Sequence, residues 1–154
     1  MTVKIGIIGG SGLDNPDMFT NARDTFTSTV WGEPSSPLRE GEIAGVPVAL
    51  LARHGRSHTL APSSVNYRAN VQALKDAGCT HILATTATGS LREEIRRGDL
   101  VIIDQFIDFT KQRKMTFHDY FKPGQPVHAA MSEPFDAGLR RILIDGCRRH
   151  GFPF

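Results

Sequence analysis

The chain is poor in cysteine, has no strong charge excess and contains no long apolar run. Its two cysteines, Cys79 and Cys147, lie far apart without metal-ligand spacing. That excludes a disulfide framework and a cysteine-based metal site, and fits reduced thiols in a cytoplasmic protein. Eighteen basic residues against 16 acidic ones leave a net charge of only +2. The one local cluster, Arg140, Arg141, Arg148 and Arg149, reads as the solvated face of a helix, so charge implies no nucleic acid partner. No apolar run approaches the roughly 18 residues of a membrane span, and the N-terminus turns to glycine too soon for a signal peptide. Internal repeats, low-complexity tracts and linkers are missing as well. What remains is ordinary globular composition, 40 % hydrophobic and 22 % charged over 154 residues, which suits one domain spanning residues 1–154.

Apolar runs breaking into glycine or hydroxyl loops dominate the pattern. Val3–Ile8 is a β-branched run that ends in Gly9-Gly10-Ser11-Gly12, as a buried strand entering a tight loop would. Leu38–Ile43 and Val48–Ala52 read as the two arms of a hairpin. Ser64 is the expected cap of a helix whose apolar face is Val65, Tyr67, Val71, Leu74 and Ala77, with Gly78 as its stop. His81–Ala87 reads as another buried strand, and Leu100–Ile107 is the most β-like run in the chain, with Asp104 and Asp108 bracketing its second half. Asp136 is placed to cap a final helix with Leu139, Ile142, Leu143 and Cys147 on one face, stopped by Gly151. Alternating strands and helices predict a layered α/β sheet, whose ligands collect in loops at the carboxyl ends of strands. Three loops have that position: Gly9–Leu13, Arg53–His58 and Thr86–Leu91.

The middle loop carries the strongest chemical signal. Arg53-His54-Gly55-Arg56-Ser57-His58 places two arginines and two histidines within six residues directly after an apolar strand. Arginine offers a planar fork of donors matched to phosphate, and glycine lets the backbone come close to an anion. The first loop lacks the third glycine of a dinucleotide fingerprint, since Asn15 stands there, and lacks the Gly-Lys-Ser/Thr of a P-loop. By itself it is equally a sharp turn. Ser11 can nonetheless join backbone N–H groups around one anion oxygen, and Thr86 and its neighbours repeat that chemistry in the third loop. The Arg-His-Gly triplet also suits a histidine phosphatase, in which His54 would be a phosphohistidine nucleophile. Among the other histidines, His81 and His150 suit structural or solvent-facing roles, His58 lies beside the arginine fork, and His128 sits in an irregular segment.

Five blocks, Gly6-Ile-Ile-Gly-Gly-Ser-Gly-Leu13, Leu51-Ala-Arg-His-Gly-Arg-Ser-His58, Val65-Asn-Tyr-Arg-Ala-Asn70, Gly89-Ser-Leu-Arg-Glu-Glu94 and Gly98-Asp-Leu-Val-Ile-Ile-Asp-Gln-Phe-Ile-Asp108, resemble in order the methylthioadenosine phosphorylases of the trimeric purine nucleoside phosphorylase family. The resemblance runs from Val3 to about Arg149. It implies a three-layer αβα nucleoside phosphorylase-like mixed sheet and the activity of a pentosyltransferase. In that reaction inorganic phosphate, as cosubstrate, splits a purine nucleoside into free purine and pentose 1-phosphate, with no metal or organic cofactor. It further implies that Ser11, Arg53, His54, Thr86 and Ala87 surround phosphate, that His58 and His128 belong to the substrate pocket, and that the partner is a second and third copy in a homotrimer. Family members continue past Phe154 into segments carrying the purine-binding acid, so the resemblance also implies that the C-terminal part of the fold is missing and that no catalytic residue is assignable here. On that ground a non-catalytic fragment binding phosphate or a partner chain is the alternative to an active phosphorylase, and exposed apolar surface is expected.

Overall fold

The computed structural model describes residues 2–10, 13 and 16–154. Two compact units divide the chain: one comprises residues 1–87 and 112–117, the other residues 88–111 and 118–154.

The first unit is built on a five-stranded mixed sheet. Its strands are β1 (Ile5–Gly9), β2 (Thr20–Thr25), β3 (Leu38–Ile43), β4 (Val46–Ala52) and β5 (His81–Ala84), in the spatial order β2-β3-β4-β1-β5. β1 runs parallel to both β4 and β5, whereas β3 is antiparallel to β2 and β4. All three parallel strands, and β2 with them, therefore point their carboxyl ends to one edge of the sheet. The hairpin expected from Leu38 onward forms, with β4 beginning at Val46. Its two-residue turn holds Ala44 at φ 50° and Gly45 at φ 78°, the doubly left-handed turn whose twist suits antiparallel strands.

β2 has no apolar alternation to announce it. Thr20-Asn-Ala-Arg-Asp-Thr25 is exposed along nearly its whole length and is held by its ladder to β3, with a register irregularity between Thr20 and Arg23. Asn21, at φ 54°, sits within that irregularity, a backbone state asparagine tolerates better than most residues.

One helix, α1 (Tyr67–Asp76), covers one face of this sheet. Its cap is Asn66, whose side chain accepts from Ala69 N; Ser64 instead ends a 3₁₀ turn, Pro62–Ser64, and the extended Val65 separates that turn from the helix. Proline at the start of the turn fixes the chain there and delays the helix by two residues. Ala73 and Leu74 pack into a core with Leu38, Ala49 and Leu51, flanked by Ile8, Ala77, Cys79 and Ile82. Gly6 makes that close approach possible. A Cβ at this position would lie 3.1 Å from Leu74 Cδ1 and 3.3 Å from Cys79.

Glu40 is the charged residue buried beside this apolar layer. Its carboxylate is buried and receives Lys4 Nζ at 2.9 Å, Thr25 Oγ1 at 3.0 Å and Arg23 Nη2 at 3.2 Å. Lys4 Nζ also donates to the Ala77 carbonyl at the end of α1, so one ammonium satisfies a buried acid and a helix terminus together. The segment 112–117 rests on the same helix. Arg113 lies over the Tyr67 ring and donates to its hydroxyl, Arg68 lies over Trp31, and Phe117 meets Trp31 edge to face.

The second unit contains α2 (Ala137–His150), capped by Asp136 through Leu139 N and closed by Gly151 in the left-handed conformation, as its sequence predicts. The Leu100–Ile107 run is not a strand. It forms no ladder among the described residues; instead Arg140 on α2 donates to the Ile103 carbonyl, Leu100 N bonds Pro153 O, and Phe106 packs edge to face on Phe135. β-branched residues favour a strand only where a neighbour supplies the other half of its hydrogen bonds. Asp104 and Asp108 accordingly bracket no strand; Asp104 pairs with Arg140 and Asp108 accepts from Thr110 N. Among the described residues no helix is long and apolar enough to cross a membrane.

Candidate functional site

Parallel strands bring three loops to one edge of the sheet, and Arg53 ties them together. Arg53 directly follows β4, and its backbone N–H bonds Gly9 O at the end of β1. Its guanidinium then reaches across β1 to the loop after β5: Nη1 donates to Thr85 O at 2.9 Å and Nη2 to Thr86 Oγ1 at 3.3 Å. Gly10 lies directly beneath this span. A Cβ there would be 3.4 Å from Arg53 Nη2 and 3.6 Å from Thr85 O, so glycine keeps the space between the loops open.

His54 is oriented by its own loop. Its Nδ1 stands 2.8 Å from the Leu60 carbonyl, and Leu60 N returns a bond to His54 O. A carbonyl only accepts, so Nδ1 carries the proton and Nε2 presents its lone pair, which accepts from Arg53 Nε at 3.3 Å. Histidine here acts as a spacer that aims arginine. Gly55 at φ 76° turns the chain, with Gly55 N bonding Ala52 O and His58 N bonding Gly55 O. His58, at φ 52°, stacks its ring nearly parallel to His54 at 6.3 Å between centroids. Gly9, Gly10, Arg53, His54 and His58 share the walls of one small cavity.

Of the residues that the sequence singles out, Arg53, His54, His58 and Thr86 thus meet at this edge, and Ala87 follows directly, its carbonyl accepting from Thr86 Oγ1. Ser11 lies outside the described residues. His128 belongs to the second unit, where it is exposed. Arg56 does not join the cavity. It forms a two-pronged bond to Asp24 on β2, at 2.7 and 2.5 Å, and its hydrogen bonds, with the nearby Arg39, hold the Asp24 carboxyl below the usual carboxylate range despite a desolvation effect in the other direction. By contrast, the Arg53 guanidinium bonds His54, Thr85 and Thr86, and no carboxylate among the described residues pairs with it.

Two participants are not legible in the sequence. The Thr85 carbonyl takes part through its backbone, which side-chain type cannot announce. Asp24 lies in a polar edge strand with no pattern of its own. The assembled edge offers a cation, a hydroxyl and close-approaching backbone around one point, an arrangement that can hold an oxyanion.

Comparison with known proteins adds an independent line. Residues 4–154 match the family model of the phosphorylase superfamily. An S-methyl-5′-thioadenosine phosphorylase of Xenopus tropicalis is 55 % identical over 152 residues, which are 97 % of this chain and 54 % of that protein. The enzyme of the same name from Drosophila melanogaster is 50 % identical over 155 residues, 99 % of this chain and 54 % of its own length. Methylthioadenosine phosphorylase from Schistosoma mansoni in complex with tubercidin superposes with a TM-score of 0.88 at 48 % identity, covering 97 % of this chain and 55 % of that one. The chain spans about half the length of the curated relatives it matches. The expected mixed α/β sheet of nucleoside phosphorylases is thus present, and by the family match over nearly its entire length the chain belongs to the phosphorylase superfamily.

Proposed function

We propose that the edge formed by the loops after β1, β4 and β5 binds inorganic phosphate as the cosubstrate for phosphorolysis of methylthioadenosine or a related purine nucleoside. The observation that carries this reading is the Arg53 guanidinium, without a carboxylate partner among the described residues and stretched from the β4 loop to Thr85 and Thr86 over the gap that Gly10 keeps open. Ser11, Arg53, His54, Thr86 and Ala87 are the proposed phosphate ligands, with His58 toward the nucleoside and His128 toward the nucleoside of a neighbouring copy in a trimer. In the reaction a phosphate oxygen forms a bond to the anomeric carbon as the glycosidic carbon–nitrogen bond breaks, and the bonding pair leaves with the purine. The sugar passes through an oxocarbenium-like state, so an anion held close, aligned and partly desolvated both stabilises that charge and shortens the search for the productive geometry. The loops provide the holding and aligning; no step requires a metal or an organic cofactor.

The family match runs through both compact units, which supports reading residues 1–154 as belonging to one nucleoside phosphorylase domain. Assembly as a cytoplasmic homotrimer goes with the same reading.

The test is phosphate-dependent release of purine from methylthioadenosine, measured alongside thermal stabilisation by phosphate. Turnover supports the full reading. Stabilisation by phosphate without turnover assigns the chain to phosphate binding alone, and a melting curve that ignores phosphate overturns both. A phosphohistidine at His54 would overturn the reading in a third way, although the Nε2 lone pair that such chemistry needs is already engaged by Arg53.

A further inference from the structure

Arg53 and Arg56 leave the same loop in opposite directions. From β4, in the interior of the sheet, Arg53 reaches across β1 to the β5 loop, while Arg56 reaches across β3 to Asp24 on β2. The loop between them is folded tightly on itself through Gly55 N to Ala52 O, His58 N to Gly55 O and Leu60 N to His54 O. These bonds brace the loop internally, so a bond at Arg56 restrains the direction in which Arg53 leaves. The geometry of the Asp24–Arg56 pair suits such a restraint, because both prongs of the guanidinium meet both carboxylate oxygens, which fixes orientation as well as distance. Asp24 is itself steadied by Arg39 at 3.6 Å.

We propose that Asp24 and Arg56 form a positioning clamp that holds the Arg53–His54 loop in its anion-binding orientation. The inference rests on the phosphate reading above and extends it to two residues that touch no substrate. Electrostatics alone predicts the opposite effect of losing Asp24, and this makes the clamp testable by sign. Removing a carboxylate from the neighbourhood of an anion site, and releasing Arg56 to carry an uncompensated charge, should tighten phosphate binding by Coulomb attraction. A clamp predicts weaker binding.

The experiment is a titration of the intact chain with inorganic phosphate, followed by thermal shift or calorimetry, for the unaltered protein and for Asp24→Asn, Arg56→Lys and the double variant. Asp24→Asn is expected to weaken phosphate binding roughly threefold to tenfold, in the lower part of the range of coupling between residues that share one network. Arg56→Lys keeps the charge but loses the fork and should weaken binding similarly, whereas a purely electrostatic role would leave it unchanged. The double variant should be no worse than the weaker single one. Equal or tighter binding by Asp24→Asn, or losses that add in the double variant, overturn the clamp while leaving the phosphate site standing. If Asp24→Asn does not fold, Arg56→Lys decides alone, since unchanged affinity there overturns the clamp. Failure of the folded, unaltered chain to respond to phosphate overturns the phosphate reading and the clamp with it.

Discussion

Single residues set the chemistry of this edge through what they forgo as much as through what they bind. Arg53 meets no carboxylate among the described residues, and its fork spans two acceptors on the β5 loop. A lysine there would keep the charge and lose the fork. Arg53→Lys is therefore expected to abolish most phosphate-dependent stabilisation while leaving the phosphate-free melting temperature within a few degrees, which a pair of melting curves with and without phosphate would show. Glu40 behaves differently, because its partners outweigh its burial. Burial pushes its carboxyl up, but hydrogen bonds from Lys4, Thr25 and Arg23, with the Lys4 charge, hold it below the ordinary glutamate range. A depressed acid is worth stability above its unfolded pKa and loses that contribution as pH falls through the folded value. Melting temperature should therefore fall as pH drops below the ordinary glutamate range, and Glu40→Gln should flatten that part of the profile. The arginine fork was readable from residue type alone; the separate fate of Arg56 was not, since its partner is set by strand order.

At the scale of elements, the parts with strong local chemistry were legible. The arm Leu38–Ile43 and the helix between Asp136 and Gly151 match their sequence signals because the hairpin turn at Ala44-Gly45 and the helix caps are written into adjacent residues. β2 was not, because a polar edge strand is made by its neighbour's free hydrogen bonds. The Leu100–Ile107 run misled for the converse reason, having strand composition but no neighbour to complete a ladder. Two substitutions test these local accounts. Ala44 occupies a left-handed position at φ 50°, which alanine adopts at a steric cost that asparagine largely avoids. Ala44→Asn should raise stability by roughly 0.5–1 kcal/mol in chemical denaturation. Asn66 caps α1 and also donates to Trp31 O at 2.8 Å. Asn66→Ala loses these bonds and a longer one to Glu33 O, and should cost about 1–2 kcal/mol in the same measurement.

For the molecule as a whole, surface composition is the notable property. Leu91, Phe109 and Tyr120 are almost fully exposed, and Val101, Ile107 and Ile142 are mostly so. The helix face of Leu139, Ile142, Leu143 and Cys147 buries only its last member. Apolar surface on this scale favours association. Light scattering should show an apparent mass that grows with protein concentration, and a hydrophobic dye should bind the folded chain; a concentration-independent monomer that ignores the dye would contradict this. Exposed apolar surface is what the resemblance to longer family members implies, but which residues carry it could not be read from the sequence, where the same residues look like core.

The placement of residues 112–117 has a consequence for cleavage. They belong to the first unit although the residues on either side belong to the second, so the backbone passes from unit to unit at three places rather than one. A protease that cuts once within 88–111 does not release a sheet fragment from a helical one. The distal piece still carries Arg113 and Phe117, seated on Tyr67 and Trp31, and remains a clasp on the proximal piece. Two bands on a denaturing gel would accompany a single peak in native chromatography.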